Sequence, residues 1–158
     1  MADEINVKRA KEIYASLCGV LDKMEWRYNK DEDKRAVDFR VSGEDIPMQF
    51  IVFIDEDRQL IRLMSPIPFH ISKEKRLEGA LAALAASNKM ADGSFDYDLS
   101  DGRIVFRMTA SYRGSTIGDG LFSYMILCAC AAVDRYNDRF LALDKGLITL
   151  QKFLESDQ

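Results

Sequence analysis

The sequence predicts an α+β protein, one antiparallel sheet packed by helices, and three observations carry that reading. Short segments alternate apolar and polar residues at period two: Val37, Phe39 and Val41 are interleaved with Asp38 and Arg40, and similar runs cover Ile46–Ile54 and Leu60–Met64. Asp101-Gly102, a dipeptide preferred at tight hairpin turns, joins two further alternating segments. From Leu121 to Val133 every residue except Ser123 is apolar, which predicts a core helix covered on most sides, with Leu127 inaccessible. That run is too short for a bilayer, which needs ~20 apolar residues.

In chain order, Ala10, Ile13, Tyr14, Leu17, Leu21 and Met24 recur at helical spacing behind a capping Asp3 and an acidic Glu4, an amphipathic first helix. Trp26 and Tyr28 form a short strand or a packed lead-in. Closing Val41 on Ile46 sets Phe39 against Met48 and Val37 against Phe50, and closing Ile54 on Gln59 sets Val52 against Ile61. One face is then apolar across three strands. Ser65-Pro66-Ile67-Pro68 is expected to end the third strand, because proline donates no ladder hydrogen bond.

Ser72 caps a second helix whose inner face is read as Leu77, Ala80, Leu81, Leu84 and Asn88. Its small residues, Gly79, Ala82, Ala83, Ala85 and Ala86, would allow another backbone, such as a second subunit, to approach closely. A two-residue turn at Asp101-Gly102 aligns Leu99 with Ile104, Tyr97 with Phe106 and Phe95 with Met108, and sets Asp96 against Arg107. The connection through Gly114, Gly118 and Gly120 leads into the apolar helix. Its second half turns Val133, Tyr136, Phe140 and Leu143 inward and Asp134, Arg135, Asn137, Asp138 and Arg139 outward, and Lys145-Gly146 stops it. Leu147, Leu150 and Leu154 make a last short helix. The element order is α-β-β-β-α-β-β-α.

A chain of 158 residues fits one domain over 1–158. With 22 Lys and Arg against 26 Asp and Glu, the net charge of −4 argues against nucleic acid, whose binders carry a basic stripe. The opening MADEINVKRA lacks the apolar core of a secretory leader, so the cytoplasm is the expected compartment. Cys18, Cys128 and Cys130 read as reduced, buried thiols.

No motif for chemistry emerges. The glycines at 114, 118 and 120 match neither GxGxxG nor GxxxxGK[ST]. Asp92, Asp96, Asp98 and Asp101 lack the glycine and closing Glu of a calcium loop. His70 is the single histidine, and Cys128 and Cys130 project to nearly opposite sides of a helix. No GxSxG or HExxH occurs. Neither catalysis, a cofactor nor a metal is expected.

The element order, with Asn88, Gly93-Ser94-Phe95-Asp96-Tyr97-Asp98, Asp101-Gly102-Arg103-Ile104, Phe106-Arg107, and Ala132, Asp134 and Tyr136, resembles the type III secretion chaperone-like fold and, within it, the bacterial YbjN-type family. The resemblance implies a sensory-transduction regulator. Through the chaperones it implies a small acidic homodimer that holds an extended client segment along its surface.

The expected function is therefore a non-catalytic protein-binding module, chaperone-like or regulatory. The alternative is a small-molecule- or nucleotide-responsive regulator using the glycine-rich connection 114–120. The registers place Ile51, Phe53, Leu60, Arg62 and Met64 on the sheet face opposite the core, the candidate partner-binding residues. The competing reading is that the last helix, Leu147 to Leu154, folds over this face.

Overall fold

The computed structural model describes residues 2–155. Its elements are α1 (Ala2–Lys23), β1 (Asn29–Asp31), β2 (Ala36–Val41), β3 (Met48–Asp55), β4 (Leu60–His70), a 3₁₀ turn (Lys73–Lys75), α2 (Arg76–Asn88), β5 (Ser94–Asp98), β6 (Arg103–Ser111), α3 (Asp119–Asp144) and α4 (Leu150–Glu155). The strands form one antiparallel sheet in the order β1-β2-β3-β4-β6-β5. The inner face is the expected one: Val37, Phe39, Phe50, Val52, Ile54, Ile61 and Leu63 are buried there, joined by Ile104, Phe106 and Met108. Trp26 and Tyr28 are a packed lead-in, with Trp26 edge-on against Phe39, and the short polar edge strand β1 follows them at Asn29–Asp31.

Every hairpin register lies two residues from the sequence expectation, a slip that keeps each side chain on its face. Val41 pairs with Met48, Ile54 with Ile61, and Tyr97 with Ile104. Local chemistry sets each loop length. Between β2 and β3, Ile46-Pro47 stays in the loop, where Asp134 of α3 accepts from the Glu44 N–H at 2.9 Å and Asn137 donates to the Ile46 carbonyl at 3.5 Å. Between β3 and β4, Asp55 accepts from the Arg58 N–H at 3.0 Å and Gln59 turns left-handed at φ 55°. Between β5 and β6, Asp98 accepts from both the N–H (2.9 Å) and the hydroxyl (2.6 Å) of Ser100, giving a turn over 99–102 instead of a two-residue one. Leu99 is consequently exposed rather than set against Ile104.

The prolines do not end β4, which runs on to His70. Its pairing with β3 ends at Ile51↔Met64, so Pro66 and Pro68 lie where the strand has β6 alone as neighbour, with a register shift between Pro66 and His70. A missing N–H is tolerated on such an edge-like stretch.

The helices pack together on the inner face: α1 beside α3, α2 against β5 and α3, and α4 against α2 and α3. α1 buries the predicted stripe from Ala10 to Leu21, Met24 lies past its end and is partly buried, and the helix begins at Ala2 so that Asp3 and Glu4 lie in its first turn. α2 is turned the other way from its reading. Gly79, Ala82, Ala83 and Ala86 face in, while Leu77, Leu81 and Leu84 are 75%, 52% and 68% exposed. A Cβ on Gly79 would lie 2.7 Å from the Tyr97 hydroxyl, which itself donates to the Arg76 carbonyl at 2.7 Å. The close approach allowed by the small residues is made to the chain's own sheet. Ser72 does not cap α2, whose N-cap is Lys75; it precedes the 3₁₀ turn Lys73–Lys75, without a capping bond from its hydroxyl.

α3 is not covered all round: Leu127 is 55% exposed, and Tyr124 is exposed beside it. Asn137, read as outward, is buried, because its side chain holds the β2–β3 loop. α3 ends as predicted at Gly146 (φ 71°), with the Leu147 N–H bonded to the Ala142 carbonyl at 2.9 Å and the Gly146 N–H to Leu143 at 3.1 Å, a Schellman arrangement. In α4 the anchor is Phe153, not Leu147 or Leu154, both of which are exposed.

Candidate partner-binding face

Because side chains alternate across a strand, burying Val52, Ile54, Ile61 and Leu63 sends Ile51, Phe53, Leu60, Arg62 and Met64 to the opposite face. All five are half-buried there. They sit in register: Ile51 is opposite Met64, Phe53 opposite Arg62, and Asp55 opposite Leu60, while Arg107, Thr109 and Ser111 of β6 continue the rows. Arg62 stacks over the Phe53 ring, 5.2 Å from its centroid, and comes within 3.7 Å of Asp55.

Ile51 and Met64 also line a groove of about 600 Å³ with Pro66 and Val105, bounded by Leu99 and Arg103. Phe53, Leu60 and Arg62 share the face but lie outside that groove. Pro66, Val105 and Leu99 are absent from the sequence-predicted set: the proline is expected there to end its strand, and the two-residue turn sets Leu99 against Ile104. Strict alternation continued past Met64 would have placed Pro66 on this face. The rim is ionic: Arg107 grips Asp96 through two bonds of 2.7 and 3.2 Å, and Arg103 reaches Asp98 at 3.4 Å. The Ser100 hydroxyl and N–H hold the Asp98 carboxyl below its ordinary pKa.

α4 does not cover this face. Its Phe153 ring packs 5.3 Å from Phe140 and 6.2 Å from Tyr136 on the helix side.

Elsewhere, a Cβ on Gly114, Gly118 or Gly120 would meet nothing within 4 Å, so the connection forms no close cradle. Asp96, Asp98 and Asp101 are engaged within their own hairpin. Asp92 accepts a short bond from Tyr124, which pushes that phenol up to about 12. Of the thiols only Cys18 is buried; Cys128 and Cys130 are partly exposed, on a helix face that the sequence placed inside. Burial, with a smaller contribution from Asp134, still raises Cys130 to about 11. Among the described residues no group of three or more His, Cys, Asp or Glu is placed to hold a metal, and no helix is long and apolar enough to cross a membrane.

The hairpins, the two central helices and their order correspond to a known family model, YbjN, described as "Putative bacterial sensory transduction regulator", which matches residues 14–142. The chain belongs to the YbjN family. The crystal structure of YbjN from E. coli is similar to it at a TM-score of 0.58 and 10% identity, covering 77% of this chain and 86% of that one. A chain of the ExsC–ExsE complex is similar at a TM-score of 0.54 and 10% identity, covering 80% and 94%. At such identities the likeness is one of fold, and that fold is the type III secretion chaperone-like one. No curated protein matches the sequence significantly. The match to the YbjN family takes in all six strands and α2 but stops at Ala142, before α4.

Proposed function

We propose that this YbjN-family chain is a non-catalytic protein-binding module, chaperone-like or regulatory, which receives an extended segment of a partner protein on the outer face of its sheet. The observation that carries the reading is the placement of all the helices on the other face. They leave Ile51, Phe53, Leu60 and Met64, with Pro66 and Val105, as an uncovered apolar surface edged by Asp–Arg pairs. Contiguous apolar surface rimmed by charge is characteristic of protein contacts. A protein of the same fold occurs in a two-protein complex, ExsC–ExsE. The reading includes a cytoplasmic homodimer, supported by the outward leucines of α2.

The test is the pair Phe53→Ser and Leu60→Ser in one chain. Both side chains are half-exposed, so the variant should stay folded with a melting temperature close to that of the parent, and proteins that co-purify with the parent from its native host should be lost. Retention of those partners by the folded variant would sink the proposal. So would a collapse of stability in a chain whose parent captures nothing.

A further inference from the structure

Gly19 sits inside α1, a full turn before its end at Lys23, although glycine is the poorest helix former after proline. Nothing in the fold calls for it. Its backbone is helical, which suits any residue, and an added Cβ would meet no atom within 4 Å. Gly79 of α2 is the contrast, since a Cβ there would press on Tyr97 and Ile71.

What Gly19 faces is a cleft of about 470 Å³ between α1 and the edge of the sheet, a volume in the range of small-molecule sites. One wall is the α1 stripe Lys11, Ala15, Cys18 and Asp22, with Gly19 beside it. The other is Lys30 of β1 with Glu32 and Arg35 from the turn after it. A helix position without a side chain lets a ligand lie directly against the backbone.

Polar groups converge on this space. Tyr14 lines it, 9% exposed, and donates to the Ala36 carbonyl at 3.3 Å. Tyr28 donates to Asp22 at 2.8 Å. Burial is the largest cause pushing both phenols up, Tyr14 to about 12, so both keep their protons at neutral pH. With those protons engaged, each phenol still offers its oxygen as an acceptor.

The charges divide into engaged and open ones. Arg35 is held by Glu56 at 2.7 Å, and the Lys30 ammonium lies over the Tyr28 ring, 5.6 Å from its centroid. Lys11 and Glu32 are open: both line the cleft, yet neither is ion-paired, with the other or with any described residue. They belong to the same end of it. Glu32 acts on Tyr14, which is one helical turn from Lys11.

We infer that this cleft binds a free α-amino acid, its ammonium and carboxylate between Glu32 and Lys11 and its side chain along the bare helix surface at Gly19. A zwitterion carries both signs on one carbon, so it bridges a separated pair that a simple cation or anion would satisfy only on one side. The cleft shares no residue with the outer face of the sheet, so the inference stands or falls independently of partner binding there.

The test is isothermal titration of the full chain with each of the twenty amino acids in turn. At least one should bind saturably with a Kd below about 1 mM, and its N-acetylated and its C-amidated forms should each bind at least about tenfold more weakly. Lys11→Ala, at an exposed position, and Glu32→Gln should each weaken the free amino acid by about tenfold or more. Gly19→Leu, which puts a side chain into the cleft, should abolish binding. Gly19→Ala should raise the melting temperature of the ligand-free chain by about 1–4 °C, because the fold itself does not need the glycine. A parent chain that binds none of the twenty overturns the inference. So does binding that survives Lys11→Ala and Glu32→Gln, which would put the ligand elsewhere. A lower melting temperature for Gly19→Ala would give the glycine a structural reason and remove the argument that led to the site.

Discussion

The guanidinium of Arg62 lies over the ring of Phe53, its direct cross-strand partner, 5.2 Å from the ring centroid. Its ion pair with Asp55 is long at 3.7 Å, and its Nε is buried without a hydrogen-bond partner. Stacking therefore holds this arginine more firmly than charge does. It also covers an aromatic surface that the sheet would otherwise leave open, much as long basic side chains shelter apolar surface with their stems.

Replacing Arg62 by Ala should lower the unfolding free energy by about 0.5–1 kcal/mol, the usual worth of a cation–π pair near the surface. Lys should recover part of that loss. Urea denaturation of the three proteins measures it. A loss near 3 kcal/mol for the alanine variant, the scale of truncating a large core side chain, would mean that this face is interior.

Gly102 gives the sharpest backbone prediction. It sits at φ 76°, and a Cβ there would fall 2.2 Å from the Ile71 carbonyl oxygen, while its own carbonyl accepts the Ile71 N–H at 2.8 Å. Left-handed backbone costs a non-glycine residue roughly 1–2 kcal/mol, and here the clash with a fixed backbone atom adds to it. Gly102→Ala should cost more than about 2 kcal/mol by thermal or urea melts. Gly118→Ala, where nothing lies within 4 Å of the new Cβ and φ is −89°, should be neutral or stabilise by about 0.4–1 kcal/mol. Equal costs at the two sites would contradict the β5–β6 turn geometry.

On α3 a matched pair of substitutions reads the exposed and covered faces. Leu127→Asp places its charge in solvent and should change stability by no more than about 0.5 kcal/mol. Ala129→Asp, at a position with no exposure, buries an unpaired charge and should abolish soluble folding. Circular dichroism and soluble yield report both. An insoluble Leu127→Asp would restore the fully covered helix that the composition of Leu121–Val133 predicts.

Legibility in the sequence follows from which physical rule decides each element. The strand faces were readable because period two leaves no choice once one face is apolar: Val52 and Leu63 had to turn in, and Ile51 and Met64 had to turn out. The registers were not, because loop length depends on contacts from distant parts of the chain, such as Asp134 on the Glu44 N–H and Gly102 against Ile71. The face of α2 was misread for another reason. Hydrophobicity marks what gains from burial, but the space between α2 and Tyr97 admits only glycine and alanine, so steric fit outweighed the leucines. The outer face was found by elimination, yet Pro66 and Val105 escaped because a proline was allowed to end a strand that merely loses its β3 neighbour there.

The inversion of α2 moves the argument for self-association onto new residues. Leu77, Leu81 and Leu84 follow spacings of four and three and form one stripe on the solvent side, whereas Gly79, Ala82, Ala83 and Ala86 are committed to the sheet. Three leucines at this exposure on one stripe make an apolar ridge suited to a helix–helix contact. The proposed dimer then predicts that the parent chain shows a dimer mass by light scattering at high micromolar concentration. Changing all three leucines to Gln, which has similar helix propensity, should give a monomer with unchanged helical signal. Ala83→Leu, on the inner side of the same helix, should instead destabilise the fold by overpacking, typically about 1–3 kcal/mol. A parent chain that is already monomeric at that concentration removes α2 as a subunit contact, and a triple variant that stays dimeric moves the contact elsewhere.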